Sequence, residues 1–207
     1  MTQTEEEFGT LADAATLERT AEALVKNGMN VIIAENSNKA KEKLFELLPE
    51  GAEVMNMTSA TLDAIGASEE IVDSGRYNSV RKQFSSMDPK KDGRVMRQLG
   101  AAPDWVVGSV HAITRDGTVL IASATGSQLP GYAYGGGRVI WVVGTQKLVG
   151  TFEDGMRRIQ EYTFPREDAR AQKAYGVHSS INKVLIVHKE ATPGRITVIL
   201  VKENLGF

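Results

Sequence analysis

DGTVLIASATGSQLPGYAYGGGRVIWVVGTQKLV, residues 116–149, carries the decisive pattern of this chain. An Asp116-Gly117 turn leads into the apolar run Val119–Ala124, and the polar loop Thr125-Gly126-Ser127-Gln128 follows at once. The glycine cluster Gly135-Gly136-Gly137 then opens a second apolar run, Arg138–Val143. Short apolar runs bounded by turn residues read as strands covered on both faces. Strands that end in small polar residues and glycines often hold ligands, because bare backbone can approach an anion there. The stretch therefore predicts a sheet with a binding loop at its end.

Working outward, shorter runs repeat the theme. Leu11–Lys26 has Leu17, Ala21, Leu24 and Val25 at helical spacing, ended by Asn27-Gly28, and Val31–Ala34 follows as a strand. Lys39–Leu48 reads as a helix stopped by Pro49, and Glu53–Met57 as a strand before a helix capped by Thr58 or Ser59. Helical pieces are expected over Ser68–Ser74, Asn78–Ser86 and Asp92–Gly100, with a strand at Trp105–Val107. Ser109–Thr114 is ambiguous and reads as a helical turn. Phe152–Tyr162 and Pro165–Tyr175 are helical, and Lys183–His188 with Ile196–Lys202 suggests a hairpin turning at Thr192-Pro193-Gly194. Residues 1–9 are acidic and expected to fray.

Strands alternating with helices predict parallel crossovers, with strands dominating later. The expected fold is α/β, a three-layer open sheet, mainly parallel or mixed, in one domain over residues 1–207. Ligands in such sheets sit beyond the carboxyl ends of strands. That rule selects three loops, Asn36–Lys39, Val107–His111 and Thr125–Gln128, which are expected to converge on one crevice.

Composition excludes several functions. The 207 residues carry a net charge of −2, which speaks against nucleic acid as the main partner. There are no cysteines, so thiolate nucleophiles, Cys-ligated zinc and Cys-held iron–sulfur clusters are excluded from this chain. His111, His178 and His188 lack metal-ligand spacing, and neither a metal nor a cofactor is expected. No apolar run suits a membrane span and the N-terminus does not read as a secretory signal, so a cytoplasmic location is expected. Neither a Rossmann fingerprint nor a P-loop occurs.

The candidate site residues follow from the loops. Asn36, Ser37, Asn38 and Lys39 open a helix, where unpaired N–H groups and the Lys39 charge suit a carboxylate or phosphate; plain N-capping by Ser37 or Asn38 is the alternative. Thr125, Gly126, Ser127 and Gln128 offer hydroxyls, an amide and a permissive turn. His111 is the one residue singled out for proton transfer, against a structural role as a hydrogen-bonded histidine.

Several segments together resemble the LUD-domain family, the lactate-utilisation proteins: AENSNKA (34–40), Ala102-Pro103-Asp104-Trp105, AITRDGT (112–118), ATGSQLP (124–130) and the closing block GVHSSINKVLIVHKEATPGRITVILVKENLGF (176–207). The resemblance implies the fold of ribose-5-phosphate isomerase, glucosamine-6-phosphate deaminase and the CoA transferases. It implies a link to lactate or organic-acid utilisation, with a small anionic metabolite as ligand. Some relatives work beside iron–sulfur oxidoreductase subunits, so a non-catalytic partner role is a second implication and a homodimer is compatible. An isomerase or transferase acting on a phosphorylated sugar or acyl compound is a third. CoA transferases of this fold use a glutamate nucleophile, and Leu120–Gln128 contains none.

Overall fold

The computed structural model describes residues 3–207. Helix α1 (Gln3–Gly9) precedes α2 (Ala14–Lys26), whose start is capped by Asp13 accepting from Thr16 N at 2.7 Å. Strand β1 (Asn30–Ala34), α3 (Ser37–Leu47), β2 (Glu53–Asn56), α4 (Ala60–Ala64) and α5 (Ala67–Asp73) follow. Next come β3 (Asn78–Ser79), α6 (Val80–Phe84), α7 (Pro89–Ala101) and β4 (Trp105–Gly108). Strands β5 (Ala112–Thr114) and β6 (Val119–Ser123) lead to a π-helical turn (Gly131–Gly135), then β7 (Arg138–Gly144) and a 3-10 turn (Thr145–Lys147). The chain closes with β8 (Leu148–Val149), α8 (Phe152–Arg158), a second π turn (Ile159–Thr163), α9 (Phe164–Tyr175), β9 (Lys183–Val187) and β10 (Ile196–Val201).

Six strands form one parallel sheet in the order β1-β10-β7-β4-β2-β3. Its central strands bury both faces, which is why their sequences are apolar without alternation. On β7, Val139, Trp141 and Val143 belong to the core shared with Leu17 and Leu24 of α2, while Ile140 and Val142 pack with Leu44 of α3 and Ile71 of α5. The predicted three-layer α/β architecture with a mainly parallel sheet is therefore what the chain forms.

A second sheet, β8-β5-β6-β9, occupies part of one outer layer. Val119 and Ile121 of β6 join the core on the Trp141 side. Leu120 and Ala112 face outward and are covered by Phe8 of α1 with Ile159 and Tyr162. Two expectations are corrected here. Ser109–Thr114 is not a helical turn: Ala112 and Ile113 pair antiparallel with Leu120 and Val119 across the Asp116-Gly117 turn. The terminal hairpin does not form. β9 pairs antiparallel with β6, whereas β10 inserts between β1 and β7 in the large sheet. All six β10 residues are buried, so this strand has a two-sided environment that a surface hairpin cannot supply.

The acidic N-terminus is likewise more ordered than expected. Gln3–Gly9 is helical, with Phe8 only 4% exposed against Tyr162 and with Glu5 paired to Arg166. Residues 1 and 2 lie outside the described residues. The Gly135-Gly136-Gly137 cluster serves packing rather than a ligand. A Cβ on Gly135 would overlap the Ala101 carbonyl, and one on Gly136 would press on Val106. Main chain meets main chain at Gly135, and that is the close approach that needs glycine.

Candidate functional site

The carboxyl ends of β2, β4 and β6 border one cavity of about 430 Å³, closed from the other side by α9 and the segment that follows it. Two of the three predicted loops reach it. Ser109, Val110 and His111 form one part of its wall, and Thr125, Ser127 and Gln128 another. Gly126 shapes that second loop through a left-handed φ of +87°, a conformation that favours glycine.

Asn36, Ser37, Asn38 and Lys39 are not among the lining residues. β1 is the edge strand, separated from β4 by β10 and β7, so the loop after it opens at a different place along the rim. The expected convergence of all three loops is thus corrected to two. The segment does cap a helix, but the capping residue is corrected from Ser37 or Asn38 to Asn36, whose Oδ1 accepts from Lys39 N at 3.0 Å, while Ser37 and Asn38 lie in the first helical turn. Lys39 Nζ pairs with Glu42 at 2.6 Å in the same helix. The third part of the cavity wall comes instead from Met57–Thr61, after β2.

The Thr125–Gln128 loop is largely self-satisfied. Ser123 Oγ accepts from Gly126 N at 2.8 Å and donates to Gln128 Oε1 at 2.9 Å. Gln128 Nε2 donates to Ala122 O at 3.2 Å, and Lys183 Nζ donates to Thr125 O at 3.0 Å. Within the loop Thr125 Oγ1 donates to Ser127 Oγ at 3.2 Å and accepts from Ser127 N at 3.3 Å, so the Ser127 hydroxyl keeps its own hydrogen at the cavity.

His111 is half-buried and fixed at both ends. Its Nδ1 accepts from Ala122 N at 3.1 Å, which places the ring hydrogen of the neutral form on Nε2. Its carbonyl receives a bond from Arg158 Nη1. Burial first, then the Arg158 guanidinium and Lys147 in its protonated form, push the imidazole down to about 3, with burial the dominant cause. At neutral pH the side chain is therefore an uncharged donor.

Lys147 is a buried cavity residue that the sequence reading missed. It sits on the 3-10 turn after β7, is 2% exposed, and forms no salt bridge among the described residues. Nζ lies 2.9 Å from Thr61 Oγ1, 3.1 Å from Ser109 Oγ and 3.2 Å from Val110 O. Burial, helped by the Arg158 guanidinium, lowers its pKa well below the ordinary lysine value. One signal was available: Lys147 stands alone between the apolar runs Val139–Val143 and Leu148-Val149.

The remaining charges favour an anion. Glu167 is the acidic side chain among the lining residues, and Arg170 engages it through Nε and Nη2, both at 2.7 Å. Arg81 forms no salt bridge among the described residues, and Asp63 acts on it only through its more distant charge. Its Nε donates to Asn56 O and its Nη2 to Thr58 Oγ1, each at 3.0 Å, and burial lowers its pKa. Tyr132, fully buried, stacks edge-on to Trp141 at 5.5 Å and donates to Ser109 O at 3.4 Å, with burial raising its phenol pKa.

Among the described residues no group of three or more His, Cys, Asp or Glu side chains could hold a metal, and no helix is long and apolar enough to cross a membrane.

A parallel sheet whose strand ends border a cavity lined by Arg81, Lys147 and several hydroxyls defines an α/β protein of the open-sheet class. The LUD domain model matches residues 17–201, and the chain belongs to the LUD domain family. Its fold is similar to the crystal structure of a DUF162 family protein from Deinococcus radiodurans, with a TM-score of 0.56 at 13% identity, covering 93% of this chain and 99% of that one. No curated protein matches the chain.

Proposed function

We propose that this LUD domain binds a small organic anion, a carboxylate of the hydroxy-acid or oxo-acid kind, in the cavity between the two sheets. The observation that carries the reading is Arg81, a cationic side chain at the cavity that forms no salt bridge among the described residues. A guanidinium held by a carbonyl and a hydroxyl keeps donors for a planar carboxylate. The Ser127 hydroxyl and the Nε2–H of His111 supply neutral donors for the rest of such a ligand. Association with lactate or related organic-acid utilisation is consistent with the family to which the chain belongs.

Calorimetric titration with L-lactate, pyruvate and a sugar phosphate tests the reading. Binding of a carboxylate, weakened at least about tenfold in Arg81→Ala, is the expected result, since one charge-assisted bond contributes roughly 1.5–3 kcal/mol. Failure of every carboxylate to bind refutes it, and preference for the sugar phosphate favours the isomerase or transferase reading.

A second reading is a partner role beside an iron–sulfur oxidoreductase subunit, which would have to bring its own cluster because this chain has no cysteine. Its support is an apolar patch at the sheet edge, where Val25 is 58% and Ile33 45% exposed. Retention of such a subunit by the wild type, lost in a Val25→Glu, Ile33→Glu double variant, is the outcome that reading requires.

A further inference from the structure

A buried lysine without a carboxylate partner holds an ill-solvated charge, and burial moves the Lys147 pKa down from the ordinary lysine value, toward the amine form that a base needs. A neutral amine has two hydrogens and one lone pair. Thr61 Oγ1 spends its own hydrogen on the Leu205 carbonyl at 3.1 Å, so toward Lys147 it can only accept. The Val110 carbonyl also can only accept. These two neighbours take both hydrogens. The third neighbour, Ser109 Oγ at 3.1 Å, accepts from Nζ while the lysine is protonated and gives its hydroxyl hydrogen to the lone pair once Nζ is the free amine. The alternative acceptor for that hydrogen, Val110 O, is farther away at 3.5 Å.

We propose that Ser109 and Lys147 form a serine–lysine pair, with Ser109 Oγ the nucleophile and Lys147 Nζ its general base, that hydrolyses an ester or thioester held in the cavity. Both residues follow carboxyl ends of adjacent central strands, Ser109 after β4 and Lys147 after β7, and both line the cavity. Nucleophiles of this kind depend on a base held within hydrogen-bond reach.

The step balances with water as the co-reactant. Ser109 Oγ bonds to the acyl carbon while its proton passes to Nζ. The bond from that carbon to the leaving oxygen or sulfur then breaks, and the leaving group takes the proton. Water attacks the acyl-serine, its proton going to Nζ, and Ser109 recovers a proton as the acid departs. Arg158, buried beside His111, disfavours a lasting second charge at Lys147 and so favours return of the proton. The Nε2–H of His111, two residues from the nucleophile, is the donor available to the developing oxyanion.

An alkyl fluorophosphonate followed by peptide mass mapping tests the pair. The probe carries no carboxylate, so labelling and organic-acid binding fail independently. A single adduct on Ser109, formed about 100-fold more slowly in Lys147→Met, is expected for loss of a general base. The absence of cysteine adds a second readout, because Ser109→Cys introduces a unique thiol. Its iodoacetamide reaction should show an inflection below about 8.5, the ordinary thiol value. No adduct on folded wild type, an adduct elsewhere, or a rate indifferent to Lys147→Met overturns the proposal. If Lys147→Met does not fold, the thiol inflection decides, and a value at or above about 8.5 overturns it.

Discussion

Replacing His111 by asparagine should flatten the acid limb of the stability curve. The fold holds this imidazole at about 3, while an unfolded chain titrates it near its model value of 6.5. Between those two values the unfolded state binds a proton that the native state refuses. Stability is thus fully present above pH 6.5 and declines as pH falls toward 3. Integrating that difference from pH 7 to pH 5 gives a loss of about 2 kcal/mol attributable to this one ring. Burial is the larger cause of the shift, so the sign does not depend on whether Lys147 carries a charge. Asparagine is the apt replacement because the amide oxygen in His111→Asn can still accept from Ala122 N, the bond that Nδ1 makes at 3.1 Å. The lost ring volume lowers stability by the same amount at every pH, so only the slope is diagnostic. Urea unfolding at pH 7 and pH 5 reads it. With m of about 2 kcal/mol per M, the wild-type midpoint should fall about 1 M further than that of the variant. Slopes that agree within about 0.5 kcal/mol over this interval would refute the picture of a ring held neutral by burial.

Two further predictions concern the frame around the cavity. Arg195 and Glu190 form a pair only 10% and 9% exposed, and Arg195 also donates to Tyr132 O at 2.8 Å and Gly136 O at 3.2 Å. Arg195→Met should cost about 3–5 kcal/mol by urea unfolding, because it strands a buried carboxylate and two carbonyls. Burial raises the Glu190 pKa, but the bonds from Arg195 and Thr192 outweigh it, so the wild-type pair's contribution is lost as pH falls below the ordinary glutamate range. Gly135→Ala should cost about 1–3 kcal/mol, because the new methyl meets the Ala101 carbonyl rather than a side chain that can swing away. A variant as stable as wild type would show that the end of α7 yields freely.

Much of the frame was legible in order along the chain, because short-range chemistry writes it. Asp13, Asn36 and Ser59 each accept from a backbone N–H three residues on, and each starts a helix. The unbroken apolar runs of β4 and β7 announce strands, since only two-sided cover tolerates them. The same criterion separates the last two strands. Ile196–Val201 is buried throughout, whereas Lys183–Val187 is half-exposed, and reading only the turn between them suggested a hairpin. Strand pairing is a contact between distant residues, and no local signal encodes which neighbour β10 will take.

The chain by itself determined the α/β class, the family resemblance and the polar loops after β4 and β6. Tertiary structure alone decided which loops meet. It set β1 at the edge and so removed Asn36–Lys39 from the cavity, and it placed Met57–Thr61 there instead. It also brought Lys147 within 3.1 Å of Ser109, across 38 residues of chain. Burial, and with it the protonation of His111 and Lys147, depends on what packs around a residue from elsewhere in the chain, and that is a property of the folded whole.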